Sequence, residues 1–566
     1  MLMRIFFSLL AALILCVDPV PGNLSGFDGM VRGKNGMVVS ANEIASRVGI
    51  QILKNGGNAV DAAVAVGFTL AVTYPYAGNL GGGGYMVIRL NTGFTTTLDF
   101  RERAPLSAYK KMFQDSAGNV IPELSLFGGS SCGVPGSVHG LITALEKYGT
   151  MDLREVIQPA IDLAENGFRL DFSTSESFKK HFSLFSRYPS SIKIFTRDGE
   201  AYQEGDLFVQ KDLAHTLRLI RDSGKDGFYK GETAEKIIEQ VNMLGGSFTL
   251  ADLENYTTIE KPPVTGKYRD FEIFSMGPSS SGGILLIQML NVLENFTFNS
   301  DMWGGSEYIR RLAETMKYAF LNRSLLLGDE NFVHVPAERL LSKEYASKIY
   351  LNLINDITPS VELLSDSVLI YESSETTHFS IMDKYGNAVS TTTTINSAYG
   401  SGMVVEGAGF LMNNEMDDFS SKPGVPNQFG LIGGDANSIE PGKRMLSSMT
   451  PTIVVLEQEP FLVLGSPGGS AIPTAVLQVI LNVIDFKMDI FTAVSKPRFH
   501  HQLFPDELNF EKFAPPPDVV DNLIRMGYEI GPDKVIGRVQ AILFDRKSRT
   551  FLGASDPRGN GYVAAF

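Results

Sequence analysis

The stretch 376–400, TTHFSIMDKYGNAVSTTTTINSAYG, admits few folds. Threonine, valine and isoleucine carry branched Cβ atoms that restrict χ1 and suit an extended chain, so both halves read as strands. Between them DKYGN supplies turn residues, and the whole reads as a β-hairpin. A five-residue loop over 383–387 pairs Met382 with Ala388. Counting outward sets Thr376 opposite Thr394, Cβ atoms roughly 5 Å apart, with Asn396 on the same face. A four-residue loop would change the parity and break that pairing, so the register is an expectation.

The chain around this hairpin is globular. Of 566 residues 44% are apolar and 20% charged, enough to bury a large core, and 63 acidic against 49 basic side chains give a net charge of −14. That acidity, with no Lys/Arg run, argues against nucleic acid or an anionic membrane as the main partner. Residues 1–22 stand apart: Arg4, an apolar run over 5–17, then Pro19 and Pro21. The run is too short to span a bilayer and fits a secretory signal peptide; an uncleaved anchor is the competing reading. No later apolar stretch is long enough for a stable membrane span, so the mature protein is expected to be secreted or periplasmic. Beyond Cys16 the one cysteine is Cys132. An internal disulfide is therefore not expected, and in SSCGVPGS the thiol reads as a small packed side chain. The sequons at Asn23, Asn255, Asn295 and Asn322 matter only in a eukaryotic secretory pathway.

Along the chain, Ile44, Val48 and Ile52 recur at helical spacing until Gly56-Gly57, and Asn58 caps an Ala/Val-rich helix over 59–72 that must be buried all round. Gly81 to Gly84 precede a strand and lack a following Gly-Lys-Ser/Thr, so close backbone packing is favoured over a phosphate cradle. A strand over 95–100 delivers Arg101, either a surface charge or a fixed partner for a carboxylate. Helices are expected over 213–221, 233–244, 284–293 and 303–325. The polar stretch 359–375 reads as a linker ending at Thr376. The last third is richer in strands, at 409–411, 451–456 and 461–464, then a helix over 471–485 and further elements at 507–513, 518–526, 539–544 and 551–554. Strands and helices are dispersed over both halves, which argues a layered α/β or α+β fold.

Polar clusters follow the hairpin. NNEMDDF sets Glu415 and Asp418 three residues apart, MLSSM gives adjacent Ser447 and Ser448, and GSPGGS puts Gly468-Gly469 before a helix, where two N–H groups can face one oxyanion. Ser466 lacks a nucleophile-elbow spacing. His500-His501 has no accompanying metal-ligand pattern, so a metal site is not expected. The chemistry centres on Thr376. Cutting the Glu375–Thr376 bond would give Thr376 a free α-amine of pKa about 7.7–8.0, a built-in base for its own hydroxyl. Uncut, the nitrogen is an amide and cannot serve, so the chain reads as a precursor activated by one cleavage.

The hairpin, with GGNAVDAAVAVGFTLAVTYPYAGNLGGGGYM, LDFRERAP, MGPSSSGG, NNEMDDFS, MLSSMTPTIV, GSPGGS, PRFHHQ and GASDPR in this order, resembles the γ-glutamyltranspeptidases, a family of N-terminal-nucleophile hydrolases. The resemblance spans residues 30–566. It implies a four-layer αββα sandwich, a signal peptide at 1–22, a heavy chain at 23–375 and a light chain at 376–566, the two chains forming one interleaved heterodimer. Thr376 would be the nucleophile of autocleavage and catalysis, supported by Thr394. Arg101, Ser447 and Ser448 would hold the α-carboxylate of a γ-glutamyl group, and Asn396, Glu415 and Asp418 its α-amine. Gly468 and Gly469 would supply the oxyanion N–H groups. No cofactor is implied. Substrates would be glutathione and other γ-glutamyl compounds, with water, amino acids or dipeptides as acceptors. His378, on the face of Thr376, reads as a structural residue, since the α-amine already fills the base role. The Gly/Pro-rich stretch 420–445 resembles the bacterial-type lid, with Phe429 where a tyrosine is typical; a looser latch is expected. Alternatives are a related amidohydrolase (a cephalosporin acylase or poly-γ-glutamate depolymerase) and a catalytically dead homologue.

Overall fold

The computed structural model describes residues 29–353, 376–512 and 514–566, so the expected signal segment, the linker and Glu375 lie outside the described residues. The hairpin has the five-residue loop: Thr377–Asp383 pairs antiparallel with Ala388–Thr394, Met382 facing Ala388 and Thr377 facing Thr393. Asp383 sets that loop. Its carboxylate accepts the N–H groups of Tyr385 and Asn387 and the Asn387 side-chain amide. It also accepts the N–H of Ala59 at 2.9 Å, the first residue of helix Ala59–Thr73. One buried aspartate therefore fixes both the register of the hairpin and its docking on that helix.

The hairpin lies inside a seven-stranded antiparallel sheet in the order Tyr562–Ala565, Gly36–Ser40, Thr377–Asp383, Ala388–Thr394, Gly83–Arg89, Thr95–Asp99, Ile259–Lys261. A second seven-stranded antiparallel sheet runs Val31–Gly33, Thr550–Ser555, Gln540–Asp545, Glu459–Gly465, Thr452–Leu456, Phe271–Ser275, Val264–Tyr268. Residues before and after the undescribed linker contribute strands to both sheets. Strand alternation divides the hairpin side chains between two cores. Phe379 and Ile381 pack toward the helices, while Met382 and Ala388 pack with Ile453, Val463 and Ile542 between the sheets. On that inner face Ser380 and Ser390 donate to the carbonyls of Gln540 and Leu464 in the second sheet, both at 3.0 Å.

Helices Glu43–Lys54 and Ala59–Thr73 cover the first sheet. Every residue of Ala59–Thr73 is buried, and Asn58 and Asp61 form its capping box. Gly282–Leu293 and Ile472–Ile484 cover the second sheet, with Ser306–Leu326 packed on the former. The result is four layers, helices–sheet–sheet–helices, as expected. Three expected elements differ. Residues 409–411 form only an isolated bridge, Val404 to Leu411, because Gly409 has φ +79° and lies against the backbone of Leu213. Among the described residues of 507–513 only Asn509–Phe510 is strand, and 518–525 lies in the helix Pro517–Arg525.

The glycine run packs backbone on backbone. A Cβ on Gly82 would lie 2.1 Å from the carbonyl oxygen of Thr394, and one on Gly84 2.4 Å from that of Thr392. Glycine is required there by proximity. Among the described residues no helix is long and apolar enough to cross a membrane. Cys132 is buried in the core beside the first sheet, and burial pushes its thiol up to about 12.

Candidate active site

The start of the hairpin opens on a small cavity, about 30 Å³, lined by Thr376, Thr394, Asn396, Arg101, Glu415, Asp418, Ser447, Ser448, Gly469 and Phe429. Of the expected site residues described, only Gly468 is not part of the wall; it lies one residue behind Gly469. Continuing the observed register one step sets Thr376 against Thr394. Thr394 is held from behind: its carbonyl accepts from Asn79 Nδ2 at 3.0 Å, and Asn79 Oδ1 accepts from Ser137 Oγ at 2.6 Å. Its hydroxyl accepts the N–H of Asn396 at 2.8 Å. Asn396, at φ +74°, leaves the strand in the left-handed region, which asparagine tolerates better than most residues, and its amide donates to the Asn414 carbonyl.

Arg101 is a fixed partner and not a surface charge. It follows the strand Thr95–Asp99, is fully buried, and has its N–H on Asp99 Oδ1 and its Nε on the Met445 carbonyl. Its two terminal nitrogens fork onto Glu415 and, at 2.5 Å, Asp418. Glu415–Asp418 is a single 3₁₀ turn, in which residues three apart eclipse, so the spacing in NNEMDDF puts both carboxylates on one side. The groups expected at opposite ends of a substrate head therefore bond each other in this structure. Burial opposes the charge on Arg101, but Glu415, Asp418 and Glu102 outweigh it and hold the guanidinium protonated. Burial raises Glu415 and Asp418, with Arg101 opposing in both cases. Among the described residues, Glu415 Oε2 and the Ser448 hydroxyl are buried without a hydrogen-bond partner.

Ser447 is locked by the PSSSGG loop. Its N–H donates to the Ser279 carbonyl at 3.0 Å, and its carbonyl accepts the N–H and hydroxyl of Ser281 at 2.8 and 2.7 Å. Gly468 (φ +140°) and Gly469 (φ +53°) turn the chain between the strand Glu459–Gly465 and the helix Ile472–Ile484, in backbone conformations that favour glycine. His378 is buried, with Nδ1 on Thr392 Oγ1 at 2.8 Å and Nε2 on Ser380 Oγ at 3.1 Å, and burial lowers it to about 3. It stays neutral and structural. A larger space of about 300 Å³ near His378 lacks both threonines and the carboxylate pair, so the small cavity is where the chemistry converges.

The loop over the cavity is closed. Phe429 is 4% exposed and packs in the core beside the second sheet. Ser397 Oγ donates to Gln428 Oε1 at 2.9 Å, the Gln428 N–H donates to Asp417, and Asn427 Nδ2 donates to Asp418. The looser latch expected from the missing hydroxyl is thus made from other atoms. Sequence reasoning missed Glu102, Asp417 and Arg323. Glu102 lies 3.6 Å from Arg101 and is raised to about 7 by burial, against the pull of Arg101. Burial likewise raises Asp417 to about 7. Arg323, on helix Ser306–Leu326, lines the cavity and is lowered to about 10 by burial. The adjacent Glu in RER was the one available signal; nothing local marks a helical arginine 53 residues before the hairpin. Among the described residues no group of three or more His, Cys, Asp or Glu is placed to hold a metal ion.

Residues 45–566 match the family model described as Gamma-glutamyltranspeptidase. A glutathione hydrolase proenzyme of Escherichia coli K12 is 47% identical over 531 residues, 93% of this chain and 91% of that protein. A crystal structure of the Helicobacter pylori gamma-glutamyltranspeptidase superposes with a TM-score of 0.56 at 48% identity, over 56% of this chain and 92% of that one. A cephalosporin acylase from Bacillus halodurans superposes with a TM-score of 0.83 at 27% identity, covering 97% and 99%.

Proposed function

The chain belongs to the γ-glutamyltranspeptidase family, and on that premise we propose how its cavity works. The protein is a γ-glutamyltransferase and glutathione hydrolase. The observation that carries the mechanism is Arg101 forked between Glu415 and Asp418 beside Thr376. A γ-glutamyl head is a zwitterion. Its ammonium replaces guanidinium N–H groups on the two carboxylates, with Asn396 adjacent, and its carboxylate takes the freed guanidinium with the Ser447 and Ser448 hydroxyls. Exchange leaves the net charge of a buried cluster unchanged. A glutaryl head lacks the ammonium and would add one unpaired negative charge next to Glu415 and Asp418, a severe penalty in a desolvated site. This favours γ-glutamyl amides over the substrates of an acylase.

Maturation begins with attack of Thr376 Oγ on the Glu375 carbonyl carbon. The C–N bond breaks as the nitrogen takes the proton, and an ester links Glu375 to Oγ. Water cleaves the ester, leaving the Glu375 carboxylate and a free Thr376 α-amine. In turnover that amine accepts the hydroxyl proton while Oγ attacks the γ-carbonyl, whose oxygen is stabilised by the Gly468-Gly469 turn. The amine proton passes to the leaving nitrogen. The γ-glutamyl-Thr376 ester is then resolved by water or by an acceptor amine. The heavy chain (23–375) and light chain (376–566) stay together as a heterodimer because both contribute strands to both sheets. Export, to the periplasm or the medium, is supported by the apolar run over 5–17.

A denaturing gel after export tests the scheme. Wild type gives two bands and consumes glutathione, faster when a dipeptide acceptor is added; Thr376→Ala gives one band and no turnover. An uncut wild-type chain that still consumes glutathione would refute the α-amine as base.

A further inference from the structure

We propose that Gln502 is a positioning residue that couples closure of the lid to the shape of the Gly468–Ser470 turn. The inference rests on the reading of that turn as the oxyanion site. Gln502 is 7% exposed and uses every hydrogen-bonding position of its amide. Its Nε2 donates to the carbonyls of Phe429 and Phe504, both at 3.1 Å. Its Oε1 accepts from Ser470 Oγ at 2.5 Å and meets His500 Nε2 at 3.0 Å. Two carbonyl oxygens on one side admit only the NH₂ group there, so the amide orientation is determined. An amide oxygen only accepts, which places a proton on His500 Nε2. His500 Nδ1 in turn lies 2.9 Å from Thr474 Oγ1, in the first turn of helix Ile472–Ile484. One side chain thus ties the lid residue Phe429, through main-chain oxygen, to the residue that follows the two glycines.

The coupling matters because of what lies on either side of it. Gly468 and Gly469 lack side chains to restrict the backbone and hold positive φ angles. An anchored Ser470 fixes the plane of the peptide joining it to Gly469, and so the direction of the N–H groups in the turn. On the other side, Phe429 has no hydroxyl of its own to latch the lid. Its carbonyl can reach Gln502 only while the ring is buried. Lid closure and turn geometry therefore share one amide, and opening the lid releases its hydrogen bond to the Phe429 carbonyl.

Two substitutions separate the halves, each assayed on fully processed protein that is compared with wild type turning over glutathione. Gln502→Glu keeps an oxygen toward Ser470 and His500 but sets a second oxygen against the Phe429 and Phe504 carbonyls. It is expected to raise KM about tenfold and to speed chymotryptic cleavage after Phe429 about tenfold, with kcat within about threefold of wild type. Gln502→Met removes both halves and is expected to show the same proteolysis with kcat also lowered about tenfold. If Gln502→Met does not process, Gln502→Glu alone decides the matter by its split between KM and kcat. Unchanged lid proteolysis in Gln502→Glu, or equal loss of kcat in both variants, would overturn the coupling. Wild type inactive on glutathione would instead overturn the proposed function and leave the lid measurement standing.

Discussion

Substitution of Arg101 by glutamine probes the charge exchange proposed for the cavity. Arg101 is fully buried, and its fork onto Glu415 and Asp418 is the arrangement a substrate must enter. A unit charge pair about 4 Å apart at an effective dielectric of about 20 is worth roughly 4 kcal/mol. The guanidinium is not idle beforehand, however, because the two carboxylates already satisfy it. What the α-carboxylate adds is closer to a charge-assisted hydrogen bond, about 1.5–3 kcal/mol, or about 10–150-fold in kcat/KM. The assay compares two anilide donors, γ-glutamyl and 4-aminobutyryl, which differ only in the α-carboxylate. Removing Arg101 also leaves Glu415 and Asp418 without their cation, which alters the hold on the α-amine, but that change is common to both donors and cancels in the ratio. Arg101→Gln is expected to lower kcat/KM for the γ-glutamyl donor at least tenfold more than for the 4-aminobutyryl donor. The difference should persist in about 0.5 M salt, since buried pairs are screened much less than exposed ones. Equal losses with the two donors, to within about threefold, would refute Arg101 as the carboxylate partner.

Two further outcomes follow from the same geometry. Gly82→Ala sets a Cβ 2.1 Å from the Thr394 carbonyl oxygen, a backbone atom that Asn79 holds in place. A clash with backbone exceeds the usual overpacking penalty of about 1–3 kcal/mol, so the precursor is expected to stay a single band on a gel. The raised Glu102 gives a pH prediction. A carboxyl at about 7 in the fold, against an ordinary 4.5, contributes stability that is full below pH 4.5 and is lost as the pH rises to 7. Two and a half pH units at 1.36 kcal/mol each bound that loss at about 3 kcal/mol. Glu102→Gln should flatten the fall of Tm between pH 4.5 and 7; an unchanged slope would show that Glu102 is ionised throughout.

What the sequence revealed depended on whether the determinant was local. The hairpin register was legible because a five-residue turn and period-two alternation are properties of contiguous residues, and Asp383 enforces them from within the loop. The eclipsed Glu415 and Asp418 were legible as a three-residue spacing, and Arg101 as the end of a strand. Arg323 and Gln502 were not. Arg323 reaches the cavity because helix Ser306–Leu326 packs on Gly282–Leu293 against the second sheet, and Gln502 reaches the lid because the segment after helix Ile472–Ile484 folds back under it. Neither placement leaves a mark on neighbouring residues. The state of Arg101 was equally hidden: the residue list alone assigned it to the substrate carboxylate, while the fold brings it onto the carboxylates meant for the ammonium.

That last difference has a physical reading. A buried cavity lined by Glu415 and Asp418, with Glu102 behind Arg101, needs compensating cations before any substrate arrives, and Arg101 with Arg323 supplies them. Burial raises all three carboxyls, Glu102 to about 7, which favours uptake of a proton that trims the remaining negative charge. The site is therefore stable while closed and nearly balanced. A ligand enters at low electrostatic penalty only if it brings opposite charges at the spacing of the pair it separates. On the proposed mechanism, the same internal salt bridge, sealed under Phe429, sets the selectivity of the mature enzyme. An α-amino acid head satisfies it, and a simple carboxylate or a simple amine leaves one half of the fork unpaired.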